Sequence, residues 1–410
     1  MIYFITIAIL LLFVVRYDIN ERSSYRDASY RAVLFIFVAI SGFRYRIGGD
    51  TLNYLYDFYY VTPYLWDLTV SYFEESSSEP LWVIMNSAIK SLGGNFCVVQ
   101  IVHASFVNSL IFVYVKRHTP YPFTCVLFYF VWIYTFYNFE TMRASMAIAT
   151  CLFANDYIFD KKWIKGIALY LVATMFHTSS LLMLVTPLAL FLRFNYIGFG
   201  VLFASFFVGS FLQESFKEYL LFFGGNDVYS DKLSGYVNDE KTFSQSLKLG
   251  GILITKVPYI LYAFATVCLL RKKGDLHYEL RRLEPIVIIG LFFLILSISM
   301  PIGYRIVHFY VIYFSMYFSY LFIEIVKKNF LRSKLLSAGI AMLFFMPLYN
   351  IVFIHGYFDP IKESTLTQKY YPYQKYYPYA SVFDMSIDED RERLYRVAGG
   401  IVSQHSIGRY

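Results

Sequence analysis

Residues 284–326 read EPIVIIGLFFLILSISMPIGYRIVHFYVIYFSMYFSYLFIEIV and contain two long apolar runs, 284–301 and 303–326. An α-helix needs about 17 to 25 predominantly apolar residues to cross the hydrocarbon core of a bilayer. Within that core the backbone must satisfy its own hydrogen bonds, which a helix does. This stretch therefore predicts two consecutive membrane-spanning helices and an all-α fold.

The rest of the chain has the same character. Of its 410 residues, 58% are hydrophobic and 16% are charged, whereas a soluble globular protein carries about 25% charged residues. This composition excludes a disordered chain, a disulfide-rich secreted scaffold and a soluble enzyme. Further apolar runs lie at 1–15, 30–44, 95–115, 120–137, 140–159, 163–177, 179–193, 196–213, 250–270 and 335–354.

These runs predict a polytopic integral membrane protein with about 12 transmembrane helices, within a range of about 10 to 13. The count has a range because several runs are short and because the break at His177 can also be a kink within one element. The membrane domain is residues 1–354, with outer loops at 44–94 and 213–249, and residues 355–410 form a C-terminal tail.

The basic residues give the chain a formal net charge of +7 and lie in short clusters between the apolar runs. On alternate sides of the predicted spans, Lys and Arg number nineteen and nine, the tail excluded. Cytoplasmic loops are enriched in Lys and Arg, so the richer side is cytoplasmic and both chain ends face outward. We interpret the charge as a topology signal and expect no nucleic-acid partner.

The sequence lacks the short motifs that mark metal, redox, nucleotide and hydrolase sites. The four cysteines lack the close spacing of zinc or redox sites, so we predict buried apolar thiols, no metal and no cofactor. No Walker loop, HExxH or GxSxG string occurs. Residues 1–15 lack a basic start and a cleavage site, so they predict a first span and not a removable signal peptide.

The outer segments are long and mixed in charge. The loop 44–94 starts with FRYRIGGD and ends in SEPLWVIMNSAIKSLGGN, which predicts an amphipathic helix lying along the membrane. The loop 213–249 contains a GGN turn between two short helical pieces. In the tail, KYYPYQKYYPYASVFD at 369–384 is typical of an extended segment packed over the outer surface, or of disorder.

Four arginines lie near the outer ends of predicted spans: Arg44, Arg46, Arg143 and Arg305. Ionisable residues at membrane depth are costly and usually functional, and the guanidinium fork suits phosphate. Their convergence predicts an anionic ligand such as a lipid-linked phosphate or diphosphate. Alternatively, Arg44 and Arg46 snorkel to the interface, while Glu140 offers Arg143 an intrahelical partner.

Four further candidates are Asp50, Glu79, His177 and His308. Asp50 follows a glycine pair and can instead cap the next helix. Glu79 precedes a proline, where capping of the helix also explains an acid. His177, in FHTSS, can titrate near neutral pH or simply end a helix beside three hydroxyl caps.

Five strings occur in an order that resembles the EpsG family of bacterial exopolysaccharide proteins, which is related to the Wzy-type polysaccharide polymerases. They are FRYRIGGDTLNYLYDFY, SEPLWVIMNSAIKSLGGNF, ETMRASMAIA, FHTSSLLMLVTPL and GYRIVHFYVIYF, and the resemblance covers roughly residues 30–325. The residues of the family pattern fall on Arg44, Gly48, Asp50, Glu79, Pro80, Arg143, His177 and Arg305.

The resemblance implies a glycosyltransferase that polymerises undecaprenyl-diphosphate-linked oligosaccharide repeat units at the outer face of the bacterial cytoplasmic (inner) membrane. In that reaction a sugar hydroxyl attacks an anomeric carbon and undecaprenyl diphosphate leaves. Membrane lipid, a chain-length regulator and a flippase are implied as partners. Two alternatives stay open, a flippase or exporter of the same lipid-linked oligosaccharide and a membrane acyltransferase that modifies the polysaccharide.

On this expectation each candidate has a role. Asp50 is the first choice of general base, His177 the second, and Glu79 is a further catalytic candidate. The predicted ligands of the diphosphate or sugar are Arg44, Arg46, Arg143, Arg305 and His308.

Overall fold

The computed structural model describes residues 2–48, 50–76, 78–223, 256–270, 277–299, 303–328, 376 and 379–383. Within these ranges the fold is all-helical, with one isolated antiparallel bridge between Arg44 and Ser381. The predicted fold class is confirmed at this level.

The helices follow the predicted spans closely. The α-helices are α1 (Ile2–Phe13), α2 (Arg26–Gly42), α3 (Thr51–Tyr56), α4 (Val70–Glu75), α5 (Pro80–Ser91), α6 (Phe96–His118), α7 (Pro122–Trp132), α8 (Met142–Phe159), α9 (Trp163–Thr174), α10 (Tyr196–Phe223), α11 (Val257–Leu270), α12 (His277–Ser299), α13 (Gly303–Val307) and α14 (Val311–Lys328). Segments of π-helix lie at Val14–Ile19, Asp57–Val61 and Phe136–Glu140, and 3₁₀ helices lie at Leu65–Asp67, Thr178–Ala189 and His308–Tyr310. Every predicted span overlaps a helix except 335–354, which lies outside the described residues.

In the described part of the chain, three helical stretches are long and apolar enough to cross a bilayer: Ile2–Ile19, Phe96–His118 and Arg305–Lys327. Shorter apolar helices lie at Pro122–Trp132, Trp163–Thr174, Thr178–Ala189, Tyr196–Gly209 and Val257–Cys268. Large apolar side chains are exposed on the bundle, among them Phe4, Phe35, Ile164 and Phe203. Such exposure suits contact with lipid and is unusual for a soluble monomer. The fold is therefore that of a membrane protein, and the number of spans stays a prediction.

Helix α7 lies at the centre of the bundle. Every residue from Pro122 to Trp132 is buried, and a helix that is apolar on all faces is stable only where other elements surround it. Helices α1, α6 and α14 pack around it. Pro122 at its first turn is compatible with the helix because the first backbone N–H groups have no intrahelical acceptor.

Ion pairs join helix ends at the end of the bundle opposite the first loop. Lys116, in the last turn of α6, pairs with Asp27 of α2 at 2.9 Å. Lys327, near the end of α14, pairs with Glu21 of the α1–α2 connection. Both lysines belong to the basic set predicted to face the cytoplasm. These helix ends therefore lie at the same end of the bundle, while their side of the membrane stays a prediction.

The structure describes different shares of the two predicted outer loops. The first corresponds to the chain between α2 and α6, and its amphipathic helix is α5, which buries Trp82, Val83 and Ile89 while Ile84 is exposed. The position of α5 along a membrane stays a prediction. The start of the second loop, 213–249, lies within α10, which continues to Phe223, and the bounds of this loop stay a prediction. The GGN turn lies outside the described residues.

The C-terminal segment 379–383 lies against the loop that follows α2. The backbone N–H of Tyr45 donates to the carbonyl of Ala380 at 2.9 Å. The hydroxyl of Tyr3, at the start of α1, donates to the carbonyl of Tyr376 at 3.1 Å. The start of α1 and the described part of the C-terminal segment thus meet at the end of the bundle where the first loop begins, and the outward position of the tail stays a prediction.

Buried polar side chains fix the chain that leads into α8. The amide nitrogen of Asn138 donates to the hydroxyl of Tyr129 at 3.0 Å and to the carbonyl of Tyr134 at 2.9 Å. Its amide oxygen accepts from Asn108 at 2.8 Å and from Ser41 at 3.3 Å. Hydrogen bonds of this kind hold helices together in an apolar environment. They lock α2, α6 and α7 to the π-helical segment before α8.

Candidate functional site

A cavity of about 510 Å³ lies where the first loop, α8 and α13 meet. Its lining is Asp50, Tyr54, Phe136, Glu140, Thr141, Arg143, Ala144, Ile148, His177, Ser179, Arg305, His308 and Phe309. The volume is within the range of about 300–1,000 Å³ that small-molecule sites occupy. Among the predicted site residues, the structure brings together Asp50, Arg143, His177, Arg305 and His308.

Arg143 lies in the first turn of α8, and its guanidinium is held by the segment before α5. Its Nη1 donates to Oε2 of Glu79 at 2.7 Å and to Oγ of Ser78 at 3.4 Å. The side chains are 23% and 10% exposed for Arg143 and Glu79. A largely buried charge needs such a partner. The pair therefore fixes the direction of the arginine at the cavity wall.

Glu79 does not line the cavity and acts through its neighbours. It occupies the N-cap position of α5, yet its side chain makes no cap bond to that helix. Its Oε1 instead accepts from the backbone N–H of Thr178 at 3.2 Å, the first residue of the 3₁₀ helix Thr178–Ala189. Capping of α5 is thus wrong as an explanation, because the carboxylate is used between elements. The geometry favours a positioning role for Glu79 over a catalytic one.

His177 caps the 3₁₀ helix with its own ring. The Nδ1 atom accepts from the backbone N–H of Ser179 at 3.1 Å. In a neutral imidazole one nitrogen accepts and the other donates, so this bond assigns the proton to Nε2. A protonated Nε2 can donate to an anion but cannot take up a proton. The geometry therefore favours ligand binding over general-base catalysis at His177.

Asp50 is an exposed carboxylate at the start of α3. It has the N-cap position, but no cap bond from its side chain is seen in the described part of α3. Tyr54, one turn later, also lines the cavity. Burial raises the pKa of Tyr54 to about 12, against the opposing effect of the Arg143 charge. The phenol therefore keeps its proton near neutral pH and can donate to a ligand.

Glu140 is a cavity residue to which the sequence analysis gave no role of its own. Thr141 has φ −105° and ψ 56°, so the helix breaks there and Glu140 ends the π-helical segment. The residue is 4% exposed, and its Oε1 accepts from the hydroxyl of Tyr376 at 2.6 Å. From the sequence, Glu140 was one turn before Arg143 in the same helix and could pair with it. The break at Thr141 separates the two residues, and their spacing in the sequence does not indicate this break.

Arg305 and His308 come from the interrupted helix that precedes α14. Arg305 lies in α13, which is followed by the 3₁₀ turn His308–Tyr310. The ring of His308 lies 4.3 Å from the ring of Phe136, between centroids. Tyr137 donates its hydroxyl to the carbonyl of His308. These contacts attach the turn to the π-helical segment, so that both predicted residues reach the same cavity.

Arg44 and Arg46 are placed apart from the cavity lining. Arg44 is 1% exposed, so it does not snorkel; it donates to the carbonyl of Ser41 and lies 5.0 Å from the ring centroid of Phe139. Arg46 has φ +52° and its guanidinium lies over the ring of Tyr45. Arg44 thus stabilises the turn after α2, and ligand binding by either arginine stays a prediction.

The cavity contains charges of both signs. Arg143 and Arg305 are its cations, and Asp50 and Glu140 are its carboxylates. Over the ranges given above, no group of three or more His, Cys, Asp or Glu side chains is placed to hold a metal ion. The positive charges that the described lining offers to an anionic ligand are those of the two arginines.

Gly48 sets the path of the loop that presents Asp50. Its φ is +110°, and a Cβ atom there would lie 2.6 Å from the carbonyl oxygen of Phe139 and 2.7 Å from Oγ1 of Thr51. That hydroxyl itself bonds the carbonyl of Ile47 at 2.6 Å. The turn therefore requires glycine both for its backbone conformation and for space.

We expect Gly48→Ala to lower the thermal unfolding midpoint of the purified protein by several degrees and to reduce its activity. Gly93→Ala is the matched control, since Gly93 has φ +77° but no atom within 4 Å of an added Cβ. Both variants carry a backbone cost of about 1–2 kcal/mol, and only Gly48→Ala adds a clash with the backbone. Equal shifts of the midpoint in the two variants would contradict this account.

Together these features define the class of the protein: an all-helical membrane protein with a cavity that combines arginines and carboxylates at one end of its bundle. The comparison with known families is more specific. The EpsG family model matches residues 27–375, and the chain belongs to this family, which functions in exopolysaccharide biosynthesis and is related to the Wzy-type polymerases. No curated protein and no solved structure matches the chain.

Proposed function

We propose that this chain is a polysaccharide polymerase that joins undecaprenyl-diphosphate-linked repeat units at the outer face of the cytoplasmic membrane. The observation that carries the proposal is that Arg143, Arg305 and Asp50, from three distant parts of the chain, line one cavity. A glycosyl transfer from a lipid diphosphate needs cationic donors and a base close together. The family membership supports the substrate class.

The diphosphate is the leaving group of the reaction. Its departure develops negative charge on oxygen, and fixed donors aimed at such charge stabilise the transition state. Arg143 is oriented by Glu79 at 2.7 Å and Arg305 comes from a separate helix, so the two forks can bind different phosphate oxygens. The Nε2–H of His177 adds a neutral donor. In this proposal these residues bind and stabilise the diphosphate.

The acceptor is a sugar hydroxyl of a second lipid-linked unit. Its oxygen forms a bond to the anomeric carbon while the bond from that carbon to the diphosphate breaks, and the electron pair leaves with the diphosphate. The proton of the hydroxyl passes to a base within hydrogen-bond reach. Asp50 is that base in the proposal, because it is an exposed carboxylate of the lining whose side chain does not cap α3.

Reconstitution tests the proposal directly. The full chain in liposomes is supplied with the lipid-linked repeat unit extracted from the cells that make the protein, and products are separated on gels and weighed by mass spectrometry. We expect a ladder that rises by one repeat unit per step, with one undecaprenyl diphosphate released per bond formed. Transfer of the unchanged substrate across the bilayer, or acylation of the sugar, would contradict a polymerase and indicate one of the two alternatives.

A further inference from the structure

Tyr376, in the described part of the C-terminal segment, contacts a residue of the cavity lining. The hydroxyl of Tyr376 donates to Oε1 of Glu140 at 2.6 Å, across 236 residues of sequence. Both residues are nearly fully buried, at 2% and 4% exposure, and Glu140 lines the cavity. We infer that Glu140 is a further substrate-binding carboxylate, which binds the sugar, and that Tyr376 is the positioning residue that holds it. This inference rests on the proposed function.

Tyr376 is held in place by contacts that do not involve Glu140. Its carbonyl accepts from the hydroxyl of Tyr3 at 3.1 Å. Its ring lies 5.9 Å from the ring of Phe139, between centroids. The segment that follows it pairs with the loop after α2. The position of the Tyr376 hydroxyl is thus set by the bundle, so the bond orients the carboxylate of Glu140.

Glu140 is a buried acid, so it requires a hydrogen-bond donor that fixes its carboxylate. A Glu side chain has several rotatable bonds, and fixing it costs about 1.5–2 kcal/mol of conformational free energy. A buried carboxylate is also costly unless it accepts hydrogen bonds. A bond from a hydroxyl to a carboxylate is short and strong, typically about 2.5–2.7 Å. The 2.6 Å bond from Tyr376 therefore compensates for burial and selects one orientation of the carboxylate.

The charge of Glu140 determines which part of the substrate it binds. A carboxylate repels the diphosphate, which the proposal assigns to Arg143 and Arg305. Sugar hydroxyls are donors, and the two oxygens of a carboxylate provide about four acceptor sites in total. Glu140 therefore binds a sugar hydroxyl of the lipid-linked unit. A misplaced contact of this kind lowers the rate by disturbing the alignment of the reacting atoms.

The test compares two tyrosines of the same segment. Tyr376→Phe removes the hydroxyl and keeps the ring on Phe139. Tyr379→Phe is the matched control, since its hydroxyl donates to the carbonyl of Ile40 at 2.9 Å and Tyr379 is not a residue of the cavity lining. In the reconstituted polymerisation assay we expect kcat/KM to fall about tenfold to a hundredfold in Tyr376→Phe, while Tyr379→Phe stays within about twofold of wild type.

A double-mutant cycle separates positioning from general support of the fold. If Tyr376 acts through Glu140, then Tyr376→Phe has no further effect on kcat/KM in a Glu140→Ala background. Additive losses, or equal losses in Tyr376→Phe and Tyr379→Phe, would overturn the inference. If wild type makes polymer and Tyr376→Phe matches it, the inference alone is overturned. If wild type makes no polymer, the proposed function itself is overturned.

Discussion

We expect Arg143→Ala to abolish the polymer ladder and to lower kcat about a hundredfold to a thousandfold. A loss of this size is typical when one fixed donor to a developing anion is removed. The guanidinium lies at the cavity wall and is oriented by Glu79 at 2.7 Å. Because the diphosphate gains charge as it leaves, the loss affects kcat as well as KM. Initial rates of undecaprenyl diphosphate release measure both parameters.

Removal of Arg143 also leaves the carboxylate of Glu79 without its ion pair, which can destabilise the protein by itself. The control is therefore the double variant Arg143→Ala/Glu79→Ala, which removes both charges. We expect it to recover thermal stability relative to Arg143→Ala and to stay inactive. Recovery of activity together with stability would show that the arginine is only structural. Arg143→Lys, which keeps the charge without the fork, should retain part of the rate.

Asp50→Asn is expected to lower kcat about a hundredfold to ten-thousandfold, since an amide cannot take the proton of the acceptor hydroxyl. The substitution preserves size and leaves the α3 turn unchanged, so binding of the lipid-linked repeat unit should stay near the wild-type level. Single-turnover rates and a filter-binding assay of the same substrate measure the two effects separately.

Asp67→Asn is the matched control for Asp50→Asn. Asp67 is also an exposed aspartate of the first loop, in the 3₁₀ turn Leu65–Asp67, and it is not part of the cavity lining. It should retain the wild-type rate. If Asp50→Asn were fully active while Glu140→Gln were inactive, the base would be Glu140, and the assignment of Asp50 would be wrong.

Much of the fold could be predicted because the hydrophobic signal is local. An apolar run such as 96–118 forms a helix wherever it lies in the membrane, since its backbone has no other way to satisfy its hydrogen bonds. Helix α10 continues through the polar stretch QESFKEYL to Phe223, and hydrophobicity alone does not indicate that this stretch prolongs the apolar helix before it. The runs 120–137 and 140–159 predicted a break at residues 138–139, whereas the structure places it at Thr141, because NFETMRAS has no proline or glycine that fixes its position.

Site residues were predictable where their chemistry conflicts with their surroundings. Arg143 and Arg305 were identified because a cation near an apolar run costs free energy and is usually functional. The structure places both at one cavity. The same argument selected Arg44, which the structure instead buries in the turn after α2. The free-energy cost of placing a cation near an apolar run does not by itself distinguish an arginine that binds a ligand from one that donates to backbone carbonyls.

The sequence by itself determined that this protein is helical, belongs in a membrane and is a member of the EpsG family, because composition, apolar run length and short ordered strings are properties of contiguous residues. Tertiary structure alone decided that Glu79 holds Arg143, that Nδ1 of His177 accepts from the backbone N–H of Ser179, and that Tyr376 reaches Glu140 across 236 residues. These facts are hydrogen bonds of about 3 Å, and such contacts between or within elements follow from how the chain folds and packs, which no local spacing specifies.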